Sequence, residues 1–195
     1  MPHPFVPTLL GAAAAASAAV PNYQPPQLQA RSNFSGAFNL PDTAFFTNST
    51  PAINTAREVS FRVGVIAGTE SDGLRFGANG AGGIVYFSPN TPDSAVGDAT
   101  INAAGVISTD QRFTSPAGIL RVVGSTGTSS IVVTPGAPFG VTSFGSPQIN
   151  DAGQIGYRGG ITGAGQIFAS WSSGAQSIHA AEEGYSPGSG ISFLF

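Results

Sequence analysis

"SPQINDAGQIGYRGG", residues 146–160, decides the fold, because its pattern occurs twice more upstream. The matching stretches are "TPAINTAREVSFRVG" at 50–64 and "DATINAAGVISTDQR" at 98–112. Their Ile-Asn pairs begin at Ile53, Ile101 and Ile149, so both intervals are 48 residues (101 − 53 and 149 − 101). Two equal intervals mark an internal repeat. After each Ile-Asn comes a β-patterned run, at 58–63, 106–113 and 154–161. A second run follows a Gly, at 73–77, 118–124 and 165–171, and a third lies at 83–89, 130–136 and 177–184. Short strands at this spacing, separated by Gly and Ser turns, read as a repeated antiparallel unit.

Composition agrees. The chain has 195 residues, of which 41% are hydrophobic, which is enough to fold as one domain with its own core. With 27 Gly and 15 Pro, the sequence is interrupted too often for helices of ordinary length. A net charge of −3 with no basic cluster leaves no electrostatic footprint for nucleic acid. The absence of Cys removes disulfides, thiolate metal sites and thiol nucleophiles.

Ahead of the repeats, "PFVPTLLGAAAAASAAV" at 4–20 has an apolar core followed by Ala16-Ser17-Ala18, the pattern of a secretory signal, yet no Lys or Arg precedes it. It falls short of the roughly 20 apolar residues that span a bilayer, so no transmembrane span is expected. Two readings stand: a signal remnant, or a docking arm whose Phe5, Val6, Leu9, Leu10 and Val20 seek an apolar partner. Any helix is expected only at 9–19. "PNYQPPQLQA" at 21–30 reads as an extended, polyproline-like spacer. The expected division is an arm and spacer at 1–31 and one all-β repeat domain at 32–195.

The Asn of each unit, Asn54, Asn102 or Asn150, is expected to cap its turn, because Asn bonds its own downstream backbone and tolerates left-handed conformations. Gly105 and Gly153 then supply a positive φ. Arg57 stands at that position in the first unit, so a different turn is expected there. A calcium site needs several carboxylates on one loop, and only Asp151 lies in the three turns. No metal or cofactor is expected.

The stretches "PQINDAGQIGYRGGITGAGQIF" (147–168) and "EEGYSPGSGISF" (182–193) resemble the tandem units of secreted bacterial surface proteins, which carry an "IND-x-G-x-V-A-F" strand and a "G-D-x-x-P-G" turn. The resemblance covers 34–195. It implies a propeller-like or related all-β repeat and export to the cell surface, and it brings no catalytic residues. Tyr185 replaces the acidic residue of the second turn, and "INTAREVSF" departs from the strand pattern.

Phase suggests how such a chain is used. Residues 149–195 end one strand before the next Ile-Asn strand is due, and "SGAFNLPDTAFFTNSTPAIN" at 35–54 reads as the back half of a unit. The expectation is therefore about three 48-residue repeats plus an N-terminal half-repeat, in propeller-like or sandwich-like antiparallel sheets, with an unpaired edge. Such an edge closes within the molecule or engages the next subunit.

Catalytic patterns are weak. Residues 184–188 match G-x-S-x-G with His179 nearby, but Pro187 lacks the N–H that an oxyanion hole needs. Glu182 and Glu183 are adjacent and would point to opposite faces of a strand. "GANGAGG" at 77–83 lacks the Lys of a phosphate cradle and reads as a β-turn. The expected function is a non-enzymatic, self-assembling structural subunit of an extracellular or cell-surface filament, its partner being itself. The alternative is a monomeric secreted carbohydrate-binding module using Tyr86, Tyr157, Trp171 and Tyr185. Asn33 and Asn48 begin N-x-[ST] triplets and are candidate glycosylation sites.

Overall fold

A computed structural model describes residues 28–31, 44–65, 72–88, 95–112, 117–136, 138–162 and 165–182, together with Pro26 and Leu40. The arm residues Phe5, Val6, Leu9, Leu10 and Val20, the region 9–19, Asn33, Glu183 and the segment 184–195 lie outside the described residues.

The architecture is all-β, with no helix among the described residues. One sheet holds β1 (Ala44–Phe46), β2 (Ala52–Ile53), β3 (Val59–Val65), β4 (Asp72–Ala78) and β5 (Ala81–Phe87). The next holds β6 (Ala95–Val96), β7 (Thr100–Ile101), β8 (Val106–Arg112), β9 (Gly118–Val123) and β10 (Ser129–Val133). The last holds β11 (Val141–Ile149), β12 (Ile155–Ile161), β13 (Gly165–Ser172) and β14 (Ala175–Ala181). All pairings are antiparallel, and in the first two sheets a broken first strand, β1 with β2 or β6 with β7, lies along the second. In the third sheet one strand, β11, does the same job with two register irregularities. Each unit is thus a four-stranded meander. Residues 44–53, from the stretch read as a preceding half-unit, supply the first strand pair of the first sheet.

The sheets stack in chain order through two apolar layers. Leu74 of the first sheet shares a layer with Val96, Ile107, Leu120 and Val122 of the second. Ile119 and Val133 of the second share the other with Ile155, Tyr157 and Ile167 of the third. The middle sheet is covered on both faces, which is why even the polar run Ser108, Thr109, Asp110 and Gln111 of β8 is buried. The sheets do not close into a barrel, and across sheets β11 packs chiefly against β8. No helix among the described residues is long and apolar enough to cross a membrane.

Local chemistry sets the hairpins. Asn79 and Gly80 join β4 to β5 with φ of 50° and 74°, and Ser173 and Gly174 join β13 to β14 with φ of 48° and 91°. Two central residues with positive φ match the right-handed twist of the flanking strands. "GANGAGG" is thus a hairpin.

The first unit corrects an expectation. Its turn does not differ: Arg57 has φ of 63°, beside 71° at Gly105 and 77° at Gly153. Its N–H donates to the Asn54 carbonyl at 3.0 Å, as Gly105 does to Asn102 at 3.0 Å. The hydrogen bonds that close the turn outweigh a left-handed cost of roughly 1–2 kcal/mol for a residue with a Cβ. Arg57→Gly is therefore expected to stabilise the fold by about 0.5–1 kcal/mol, part of the gain being lost to glycine's freedom in the unfolded chain. Urea denaturation checks this, and a destabilised variant would show that the Arg57 side chain contributes contacts of its own.

Candidate assembly surfaces

The Asn side chains do two jobs. Within each unit Oδ1 accepts the main-chain N–H four residues on: Glu58 at 2.9 Å, Val106 at 2.9 Å and Gln154 at 2.9 Å. The Asn N–H donates back to the carbonyl of the same residue, at 3.1, 3.0 and 3.0 Å. Asn suits this place because its amide mimics a further turn of backbone.

Between units, the Asn54 Nδ2 donates to the Asn102 carbonyl at 2.9 Å and the Asn102 Nδ2 to the Asn150 carbonyl at 3.1 Å. Two carboxylates run parallel to this ladder. Asp98 accepts the Thr50 N–H at 3.2 Å, and Asp151 accepts the Ala103 N–H at 2.8 Å. All four bonds span 48 residues. In the third unit the exposed Asn150 amide turns instead to Gln154 Oε1, at 2.9 Å. Asp151 is thus engaged in holding units together, and no group of three or more His, Asp or Glu gathers among the described residues.

No family model and no curated protein matches this chain. Its chemistry is read from the two outer faces of the stack.

On the far side of the third sheet, strand register decides what is presented. Arg62 lies opposite Leu74, Asp110 opposite Ile119, and Arg158 opposite Phe168. Leu74 and Ile119 are 0% exposed, each buried in a layer shared with the following sheet, whereas Phe168 is 59% exposed. Arg62 donates across to the Val96 carbonyl at 3.0 Å. Arg158, at the same place in its own sheet, is exposed and lines a groove of about 420 Å³ with Gln148, Phe168 and His179. His179 Nε2 lies 2.8 Å from Ser170 Oγ on this face.

At the other end, the outer face of the first sheet carries a groove of about 400 Å³ lined by Phe46, Ile53, Val59 and Phe61, with Gln29 and Ala30 at its rim. Ile53 is 67% exposed, whereas Ile101 and Ile149 pack into the two layers. The Phe46 and Phe61 rings lie 5.7 Å apart. Arg75 is buried with its guanidinium 5.7 Å above Phe61, and burial lowers its pKa. Leu40 and Ala30 pack over the neighbouring part of this face.

The remaining candidates are dispersed. Burial pushes the phenols of Tyr86 and Tyr157 up to about 12. Their hydroxyls donate to Gln111 and, at 2.5 Å, to Gln176. Both, with Trp171, pack against the apolar layers. Of the rings named for glycan stacking, Tyr157 is buried, Tyr86 and Trp171 are half-buried, and Tyr185 lies outside the described residues. Asn48 is exposed between β1 and β2. Glu182 closes the β13–β14 pair by accepting the Gln166 N–H at 2.9 Å. The exposure of Phe168, Arg158 and Ile53 was missed by sequence reasoning.

Proposed function

We propose that this chain is a structural, non-enzymatic subunit of an extracellular or cell-surface filament. Copies assemble head to tail, the N-terminal arm and open β-structure of one gripping the next. The observation that supports this reading is the direction of the 48-residue ladder: each of its four bonds passes a donor from one unit to an acceptor in the next. A heterologous contact of that kind propagates without limit unless its rotation closes a ring. The resemblance to exported bacterial repeat proteins points to the same location.

The test is electron microscopy of the purified full chain beside a variant lacking residues 1–29. The full chain is expected to form filaments and the truncated chain short oligomers or monomers. A full chain that stays a monodisperse monomer at high concentration would overturn the proposal, and truncated protein forming the same filaments would remove the arm from it.

A further inference from the structure

The molecule contains two copies of one directional interface, and its outer faces repeat the two halves of it. Leu74 shares a layer with Val96, Ile101 and Ile107 of the following sheet. Strand pairing places Phe46, Ile53 and Val59 at those same positions of the first sheet. Phe46 pairs with Val63 as Val96 pairs with Gln111, 48 residues later (111 − 63). Ile53 pairs with Val59 as Ile101 pairs with Ile107. These are the residues that line the groove on the outer face. Phe168, by its register opposite Arg158, takes the place of Leu74 and Ile119 on the far side of the third sheet.

Resting on the head-to-tail reading above, we infer that the third sheet of one copy docks on the first sheet of a second copy. Phe168 fills the groove formed by Phe46, Ile53, Val59 and Phe61 of that copy. The Asn150 amide donates to its Asn54 carbonyl, continuing the ladder, and the Arg158 guanidinium reaches its Phe46 carbonyl, as Arg62 reaches Val96. Size permits this, since a cavity of roughly 150 Å³ already holds a benzene ring and the groove measures about 400 Å³. The occupant is a second copy because the second sheet stands between Phe168 and the groove of its own chain. The exposed Asn150 and the exposed Ile53 mark the same two ends of the stack.

The chain has no Cys, so the contact can be trapped cleanly. Ile53→Cys and Phe168→Cys variants of the full chain are mixed under mild oxidation. Disulfide dimers containing one of each are expected to form well ahead of either self-pair. In parallel, Phe168→Glu is expected to raise the concentration needed for assembly at least about tenfold, some 1.4 kcal/mol, while circular dichroism and the melting temperature stay unchanged. Filaments unaltered by Phe168→Glu, with no mixed disulfide, would overturn this docking and leave the filament reading to the arm alone. A wild-type chain that never assembles would overturn both.

Discussion

Replacing Asn102 with Ala is expected to destabilise the protein by about 3 kcal/mol, several times the effect of Asn150→Ala. Asn102 is 4% exposed, and its side chain holds the N–H groups of Ala104 and Val106 at 3.1 and 2.9 Å while donating to the Asn150 carbonyl at 3.1 Å. Truncation strands the buried Val106 N–H, a loss of roughly 1–3 kcal/mol when left unpaired, and also removes the part-buried bonds to Ala104 and to the next unit. Asn150 keeps the same turn bond, but on an exposed surface where water replaces the lost partner, so about 1 kcal/mol is expected. Urea denaturation of the two variants, at a concentration below assembly, measures the difference. Equal losses would show that the bond between units contributes nothing to stability.

Removing Arg112 is expected to cost about 3–5 kcal/mol, because it abandons a buried charge. Asp110 is 1% exposed in the middle sheet and its carboxylate accepts from the Arg112 Nε, while the arginine side chain itself remains 48% exposed. The hydrogen bond that Arg112 donates to Asp110 raises the pKa of Arg112, the sign expected of a stabilised cation. Arg112→Met keeps most of the packing area and deletes the charge, so the loss falls on the stranded carboxylate. Gly97 leaves the room that this carboxylate occupies, since a Cβ there would collide with Asp110 Oδ1. The double variant Asp110→Asn with Arg112→Met is expected to recover most of the stability, since the orphan charge is gone. A single Arg112→Met variant within 1 kcal/mol of wild type would refute this account, being well below the range for a broken buried pair.

The sequence by itself determined the period, the positions of three strands in each unit and the role of the turn asparagines. Ile53, Ile101 and Ile149 set the 48-residue spacing, and every run identified as a strand lies on one. Asn54, Asn102 and Asn150 were legible as turn residues because that role uses only their own downstream backbone. Their bonds to the next unit were not, since a linear sequence does not show which units touch. Arg57 misled for a related reason: intrinsic φ preference is a local property, and the hydrogen bonds closing the turn override it.

Only the tertiary structure decided which residues face outward. Subtracting 48 from Phe168 leads to Leu120, which points into the layer toward the first sheet, whereas the true counterpart of Phe168 is Ile119. Counted between register partners, the connection from second to third strand has 11 residues from Arg62 to Leu74, eight from Asp110 to Ile119 and nine from Arg158 to Phe168. A fixed offset therefore fails beyond the second strand of each unit, and a slip of one residue exchanges the two faces of a strand, because successive side chains point to opposite sides. Which apolar residues are core and which are surface was thus set by loop length and inter-sheet stacking, neither of which the repeat pattern records.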